Sequence, residues 1–268
     1  MRAISKILTL MVLFFLLSSH ELFLKCDSYF FEENSLGVLY LFNGTFDESE
    51  NVITRDRIID PQIIGPDYDL KPSSDDYYDK GDITYLKFKT GDEGTYVAGI
   101  STKPRTIELS GEKFTDYLEH EGLTRILSDR KKKGISHETA KEKYSKHVKA
   151  ILQVDKKRTD HFSTQLDYPI EFVPLKNPYY LSVGDEMSFK LLYLGQPLVN
   201  QTVHISSRKN LEEKGKDEIA STTDKNGEVS FKIDTKGHWY IATIHMLESE
   251  EENLDYESNW ATLTFEVK

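Results

Sequence analysis

From Tyr180 to Met246, and again from Trp260 to Val267, apolar residues recur at every second position between turn-forming residues. A period of two puts successive side chains on opposite faces of an extended strand, so this stretch can bury one face only by folding as a sheet. Met187, Phe189, Leu191 and Tyr193 alternate with Ser188, Lys190 and Leu192. Gly195-Gln196-Pro197 ends that run as a turn, because proline presets its dihedral. Val203 and Ile205 alternate with Thr202, His204 and Ser206. Asp224-Lys225-Asn226-Gly227 reads as a hairpin loop, with Gly227 free to take positive φ. Val229, Phe231 and Ile233 follow, then a strand over His238–His245, then Leu263, Phe265 and Val267. Short strands at this spacing predict a small β-sandwich over residues 169–268.

The earlier part of the chain repeats the pattern. Strands are expected in Glu21–Phe31, Gly37–Phe42, Asp82–Lys89 and Gly94–Ile100. The mixed segment Arg55–Leu70 reads as loop or irregular strand, and the acidic Pro72–Asp82 as a solvated loop. Asp92-x-Gly94-x-Tyr96-x-Ala98 resembles the corner of immunoglobulin-like sandwiches, in which a tyrosine hydroxyl ties a turn back to the backbone. Residues 20–110 are therefore expected to form a first β-sandwich. A helical insertion follows over 111–147: Ser110 caps a helix carrying Phe114, Tyr117 and Leu118 on one face. Gly122 interrupts, a second helix restarts at Leu123, and Ser136 is positioned to cap a third helix through Tyr144. Residues 148–168 are read as connecting strands. The fold class is mainly β, two β-sandwich domains with a short helical insertion.

Composition narrows the function. A formal charge of -11 disfavours a polyanionic partner, so no nucleic acid is expected. Arg2 and Lys6 precede the apolar run Ile7–Leu17, and Ser18-Ser19 close it, which reads as an export signal over 1–19 with periplasmic or envelope localisation. The run is too short for a stable membrane span. Cys26 is the single cysteine, so no intrachain disulfide can form. It reads as a strand-borne thiol without a role.

His20-Glu21, His120-Glu121 and His137-Glu138 each lack the second histidine of HExxH, and neither GxSxG nor a phosphate loop is present. The chain does not read as an enzyme. Cleavage after Ser19 would expose His20 as the first residue, whose α-amine and imidazole together chelate a divalent ion. His238 and His245 are seven residues apart on one strand and face opposite ways. His245 shares a face with Trp239 and Ile241; if that face is the core, His245 sits at its end, near a cleft. His120, His137, His147, His161 and His204 show no ligand spacing and read as surface residues.

Several segments together resemble a bacterial exported family called domain of unknown function 4198, once grouped with periplasmic nickel- and cobalt-transport components. The matching pieces include His20-Glu21-Leu22-Phe23-Leu24, Glu112–Leu118 with Glu121-Gly122-Leu123, Lys143–Lys146, Pro169–Leu175 and Asn177-Pro178-Tyr179. Gly195–Leu198, Asp224–Gly227, Gly237-His238-Trp239, Ile244-His245-Met246 and Trp260–Phe265 continue the match in order. The chain departs from the family at Cys26, where a small residue or proline is usual. The resemblance implies an exported β-rich protein whose second half is prealbumin-like or immunoglobulin-like, with an association to metal transport.

The expectation is therefore an exported binding protein for one divalent transition metal (nickel, cobalt or copper), acting as an uptake accessory beside an envelope transport protein or receptor. Its ligands are expected to be His20, His245 and Glu21. The alternative is a non-catalytic β-sandwich module that binds a protein or glycan at the cell envelope.

Overall fold

The computed structural model describes residues 21–208 and 218–268. The expected export segment 1–19 and His20 lie outside these described residues. In chain order the strands are β1 (Glu21–Lys25), β2 (Phe30–Phe31), β3 (Leu36–Gly44), β4 (Ile58–Gly65), β5 (Tyr68–Leu70), β6 (Tyr77–Lys80), β7 (Ile83–Lys89), β8 (Gly94–Thr102) and β9 (Arg105–Leu109). Two helices follow, α1 (Gly111–His120) and α2 (Thr124–Lys133). Then come β10 (Ala140–Val154), β11 (Ile170–Pro174), β12 (Glu186–Tyr193), β13 (Gln196–Pro197), β14 (Thr202–Ser207), β15 (Ile219–Thr222), β16 (Glu228–Lys232), β17 (Gly237–Glu248) and β18 (Tyr256–Val267).

The strands form a mainly β structure of sheets packed face to face. A central 10-stranded sheet runs β15-β14-β17-β18-β10-β8-β4-β5, with β2 and β9 also paired to β10. One outer sheet is β1-β3-β7-β6; the other is β11-β12-β13 with β16 on β12. The outer sheets cover opposite faces of the central one. Tyr96, Ala98, Ala150 and Leu152 share a core with Leu22, Leu24, Leu39, Leu86 and Phe88 of the first outer sheet. Their neighbours Val97 and Ile151 instead share a core with Phe172, Phe189 and Leu191 of the second. Alternation along β8 and β10 thus serves two sandwiches at once.

Residues 148–168 do more than connect. Strand β10 pairs in parallel with β18 from Glu142↔Tyr256 to Ala150↔Thr264, and antiparallel with β8 from Ile151↔Val97 to Val154↔Gly94. The two sandwiches therefore share one continuous sheet through β10. The third helix expected from Ser136 to Tyr144 does not form. Ala140–Tyr144 pairs with Leu109–Arg105 of β9, and from Glu142 also with β18. Hydrogen-bonding partners on both edges outweigh one capping serine.

Other local expectations are sharpened. The Tyr96 hydroxyl donates to the Asp92 carbonyl at 2.7 Å, forming the tyrosine corner. Gly227 takes φ 73°, and the Asp224 carboxylate accepts the backbone N–H groups of Asn226 and Glu228, each at 2.8 Å. This turn is not a hairpin loop, because β15 before it pairs with β14 while β16 after it pairs with β12. It carries the chain from one sheet to another. The turn at 195 is a hairpin centred on Leu194 and Gly195, both at positive φ, and Pro197 falls in β13. The acidic segment Pro72–Asp82, expected as a loop, contains β6 paired with β7. Ser110 Oγ caps α1 by accepting from Lys113 N at 3.4 Å, and Gly122 at φ 65° separates the helices. Cys26 is buried, and burial pushes its thiol pKa well up.

Candidate functional site

The start of β1 is where polar groups converge. Leu22 and Leu24 point into the core of the first sandwich, and their carbonyls accept the hydroxyls of Thr262 and Thr264 at 2.7 and 2.5 Å. These bonds lay β1 across β18. The alternate residues Glu21, Phe23 and Lys25 then share the strand's other side. Phe23 meets Phe46 and Tyr240 edge-on, both at 5.2 Å between ring centroids. The Lys25 ammonium donates to the Phe46 carbonyl and lies over the Phe42 and Phe46 rings.

Tyr240 is on β17, and its hydroxyl donates to Glu218 Oε2. The other oxygen of Glu218 lies 2.6 Å from Nδ1 of His204 on β14. Glu218 therefore fixes the imidazole with Nδ1 as the donating nitrogen. His204 Nε2 is shielded from solvent and has no hydrogen-bond partner among the described residues. The Glu218 hydrogen bond raises the His204 pKa against the opposing effect of burial, and the Glu21 and Glu121 carboxylates add to the rise. Burial also acts to raise the Glu218 pKa, but the bonds from His204 and Tyr240 prevail and hold it down.

Glu21 sits in the same charge cluster. Burial pushes its carboxyl up to about 8; Glu121 and Glu218 add to the rise, while His204 and Lys146 oppose it. Lys146 is buried on β10, donates to Asn43 Oδ1 at 3.1 Å and lies 5.2 Å from the Trp260 ring centroid. Burial and then Arg57 bring its pKa down to about 7. Beside it Glu142 is pushed up to about 7 by burial, although it accepts from the Ser258 and Tyr117 hydroxyls. Imidazole nitrogen and carboxylate oxygen are the donor types that suit first-row transition metals.

His204, expected at the surface, is thus half-buried under the first outer sheet. Alternation correctly turns it away from Val203 and Ile205, but the face to which it turns also carries Tyr240 and Ala242, which pack with Phe23 of β1, and Glu218 holds its ring. A histidine beside apolar positions in a sheet with two covered faces was the available signal.

His245 is placed elsewhere. Trp239 and Ile241 are core residues of the second sandwich, and His245 follows on their face at the end of that core. Its Nδ1 lies 2.9 Å from Gln201 Oε1, and its ring packs on Tyr193 with 4.6 Å between centroids. It lines a cleft of about 230 Å³ between the α1–α2 turn and the start of β14. His204 pairs with Ala242 and so projects on the Tyr240 face of the sheet, opposite to His245. Glu21 and His245 are therefore not brought together. Among the described residues, no group of three or more His, Cys, Asp and Glu is placed to hold a metal ion.

His147 is the second histidine expected at the surface that the structure encloses. It is 3% exposed, with Nδ1 2.8 Å from Ser101 Oγ and Nε2 3.1 Å from Asn259 Oδ1. This looks like a serine–histidine–asparagine arrangement, but Ser101 is itself buried within the central sheet. Its hydroxyl is occupied in bridging two strands. Burial brings the His147 pKa down to about 4. A depressed histidine contributes stability that is full above the unfolded value near 6.5 and is lost as pH falls toward 4. Between pH 7 and 4 the protein should lose about 2–3 kcal/mol more than a His147→Gln variant. Urea midpoints at the two pH values check this, and an equal loss in both proteins would show that His147 is not held neutral.

No helix among the described residues is long and apolar enough to cross a membrane. No curated protein matches the chain. Among solved structures, the D0-D1 domain of intimin aligns over 91% of this chain and 97% of its own length, at 10% identity and a TM-score of 0.23. Escherichia coli alpha-2-macroglobulin activated by porcine elastase aligns over 91% of this chain but 20% of its own, at 9% identity and a TM-score of 0.25. An ICAM-5 D1-D4 ectodomain fragment aligns over 90% and 48%, at 10% identity and a TM-score of 0.21. Likeness at this level carries no conclusion about function. A family model described as Domain of unknown function (DUF4198) matches residues 17–247, most of the chain, and the protein belongs to that family.

Proposed function

We propose that this protein is an exported, non-catalytic binding protein for one divalent transition metal (nickel, cobalt or copper), which it passes to an envelope transport protein or receptor. Removal of residues 1–19 frees the His20 amine and imidazole. The observation that supports this reading is the polar cluster around Glu21. The residue directly following His20 lies in one cluster with the His204–Glu218 pair, and an imidazole nitrogen there lacks a partner among the described residues.

Protein exported and processed in a bacterial host should bind Ni(II) or Cu(II) with a stoichiometry near one in calorimetry. A tag left before His20 converts the amine to an amide, and His20→Ala removes the imidazole. Either change should weaken binding on the order of 10–100-fold. Undetectable binding by processed protein at micromolar metal would sink the metal reading and leave the envelope interaction module in its place. Unaltered binding by both modified forms would remove the N-terminal chelate.

A further inference from the structure

The first outer sheet has a second face, turned away from the core it covers. Leu39 and Leu41 of β3 point into that core with Leu86 of β7 and Tyr77 of β6. Alternation therefore sends Tyr40, Tyr85 and Tyr78 to the opposite face. The three are cross-strand neighbours: Tyr40 pairs with Tyr85, and Tyr85 with Tyr78. Tyr78 and Tyr85 stack with 4.8 Å between ring centroids and 12° between planes, and Tyr40 meets Tyr85 edge-on at 5.1 Å. The ring faces are thus turned on one another, so the row offers edges and hydroxyls rather than a flat platform for stacking a sugar.

Around this row the face carries cations. Lys80, Lys87 and Lys89 are exposed on it, and none of them forms an ion pair among the described residues. No Asp or Glu occupies a position on this face in β3, β6 or β7. In a chain of formal charge -11 the local sign runs against the average. Lys89 is the cross-strand partner of Leu36, which is 84% exposed. At a membrane interface tyrosine sits at headgroup level, while lysine lays its stem along apolar surface and keeps its charge among the phosphates.

We propose that the outer face of β3, β7 and β6 docks the protein on an anionic lipid surface, with Lys80, Lys87 and Lys89 on headgroup phosphates and Leu36 at the apolar boundary. The docking does not depend on bound metal. The acidic remainder of the molecule does not prevent it. At physiological ionic strength charges are screened beyond about 8 Å, so carboxylates away from the contact are largely hidden from the lipid. Each lysine near an anionic leaflet strengthens attachment about fivefold.

The test floats the exported, processed protein with vesicles of phosphatidylglycerol and phosphatidylcholine in equal parts, and with vesicles of phosphatidylcholine alone. Binding is expected to the anionic vesicles only, and it should fall as salt is raised. The combined change Lys80→Gln, Lys87→Gln and Lys89→Gln should weaken it on the order of 100-fold. Leu36→Ser should weaken it about tenfold. Lys131→Gln, Lys132→Gln and Lys133→Gln together, at the exposed end of α2, alter the net charge equally and should leave binding unchanged. Absence of binding to the anionic vesicles, equal binding to the neutral ones, or unaltered binding by the first triple variant overturns the proposal. An equal loss in the α2 variant overturns it too, because net charge alone would then account for the binding. If the wild type ignores the vesicles but holds dextran sulfate through Lys80, Lys87 and Lys89, the face belongs to an anionic glycan and the lipid assignment falls.

Discussion

Glu171→Gln is expected to destabilise the protein by about 3–5 kcal/mol, because it leaves a charge uncompensated in a dry interior. Lys149 Nζ lies 2.7 Å from Glu171 Oε2, and their side chains are 1% and 3% exposed. Lys149 sits midway along β10, the strand shared by both sandwiches, and Glu171 is on β11 of the second outer sheet. Each partner has a further task. Glu171 accepts the backbone N–H groups of Leu166 and Asp167 at 3.0 and 3.1 Å, and Lys149 donates to the Thr164 carbonyl at 3.2 Å. The pair thus pins residues 164–167 against the central sheet. Burial already lowers the Lys149 pKa, with Glu171 opposing that fall. Without the carboxylate the ammonium must lose its proton or drag water inward. Replacing both residues by apolar ones of similar size should recover much of the loss, since a buried pair offsets its desolvation only in part. Urea unfolding of the single and double variants measures this; a single variant within about 1 kcal/mol of wild type would refute the burial argument.

Trp239→Ala should cost about 3–5 kcal/mol as well, through the cavity left by the largest fully buried side chain. The indole packs on Phe231 with 5.4 Å between ring centroids, and its N–H donates to the Thr235 carbonyl at 3.1 Å. The loss should also be felt far from Trp239. Strand β17 pairs with β18 along its whole length, β18 pairs with β10, and β10 pairs with β8 of the first sandwich. Amide protons of β3 and β8 should therefore lose protection in the variant along with those of β12 and β17. If hydrogen exchange finds β3 and β8 unchanged while β17 opens, the shared sheet does not couple the two halves.

The alternation of apolar residues determined most strands and which of their side chains face together. Trp239, Ile241 and His245 were legible as one face of β17, and the corner at Tyr96 was legible from the spacing of Asp92, Gly94 and Tyr96. These are local properties, set by the pleat and by turn sterics within a few residues. Strand partners were not legible. A period of two says that a face is buried but not what buries it. Hence Asp224–Gly227 was recognisable as a turn, although only the structure places its flanking strands in different sheets. Likewise β10, preceded in sequence by a serine suited to cap a helix, is a central strand because β9, β18 and β8 supply its edges.

The same limit governed the site. Glu21 was identified from its place beside His20, and His245 from its place at the end of an apolar face. His204 and His147 were read as surface residues because neither shows ligand spacing in the sequence. Tertiary packing decided otherwise. With outer sheets on both faces of the central one, neither half of the alternation is free to face water. The polar side chains of β10 and β14 are enclosed, and burial obliges them to find partners such as Asn259 and Glu218. Sequence spacing along β17 could place two histidines on opposite faces of one strand. Only the crossing of β1 over β18, fixed by the Thr262 and Thr264 hydroxyls, brings Glu21 into one charge cluster with His204, because contacts between distant strands depend on how whole sheets stack.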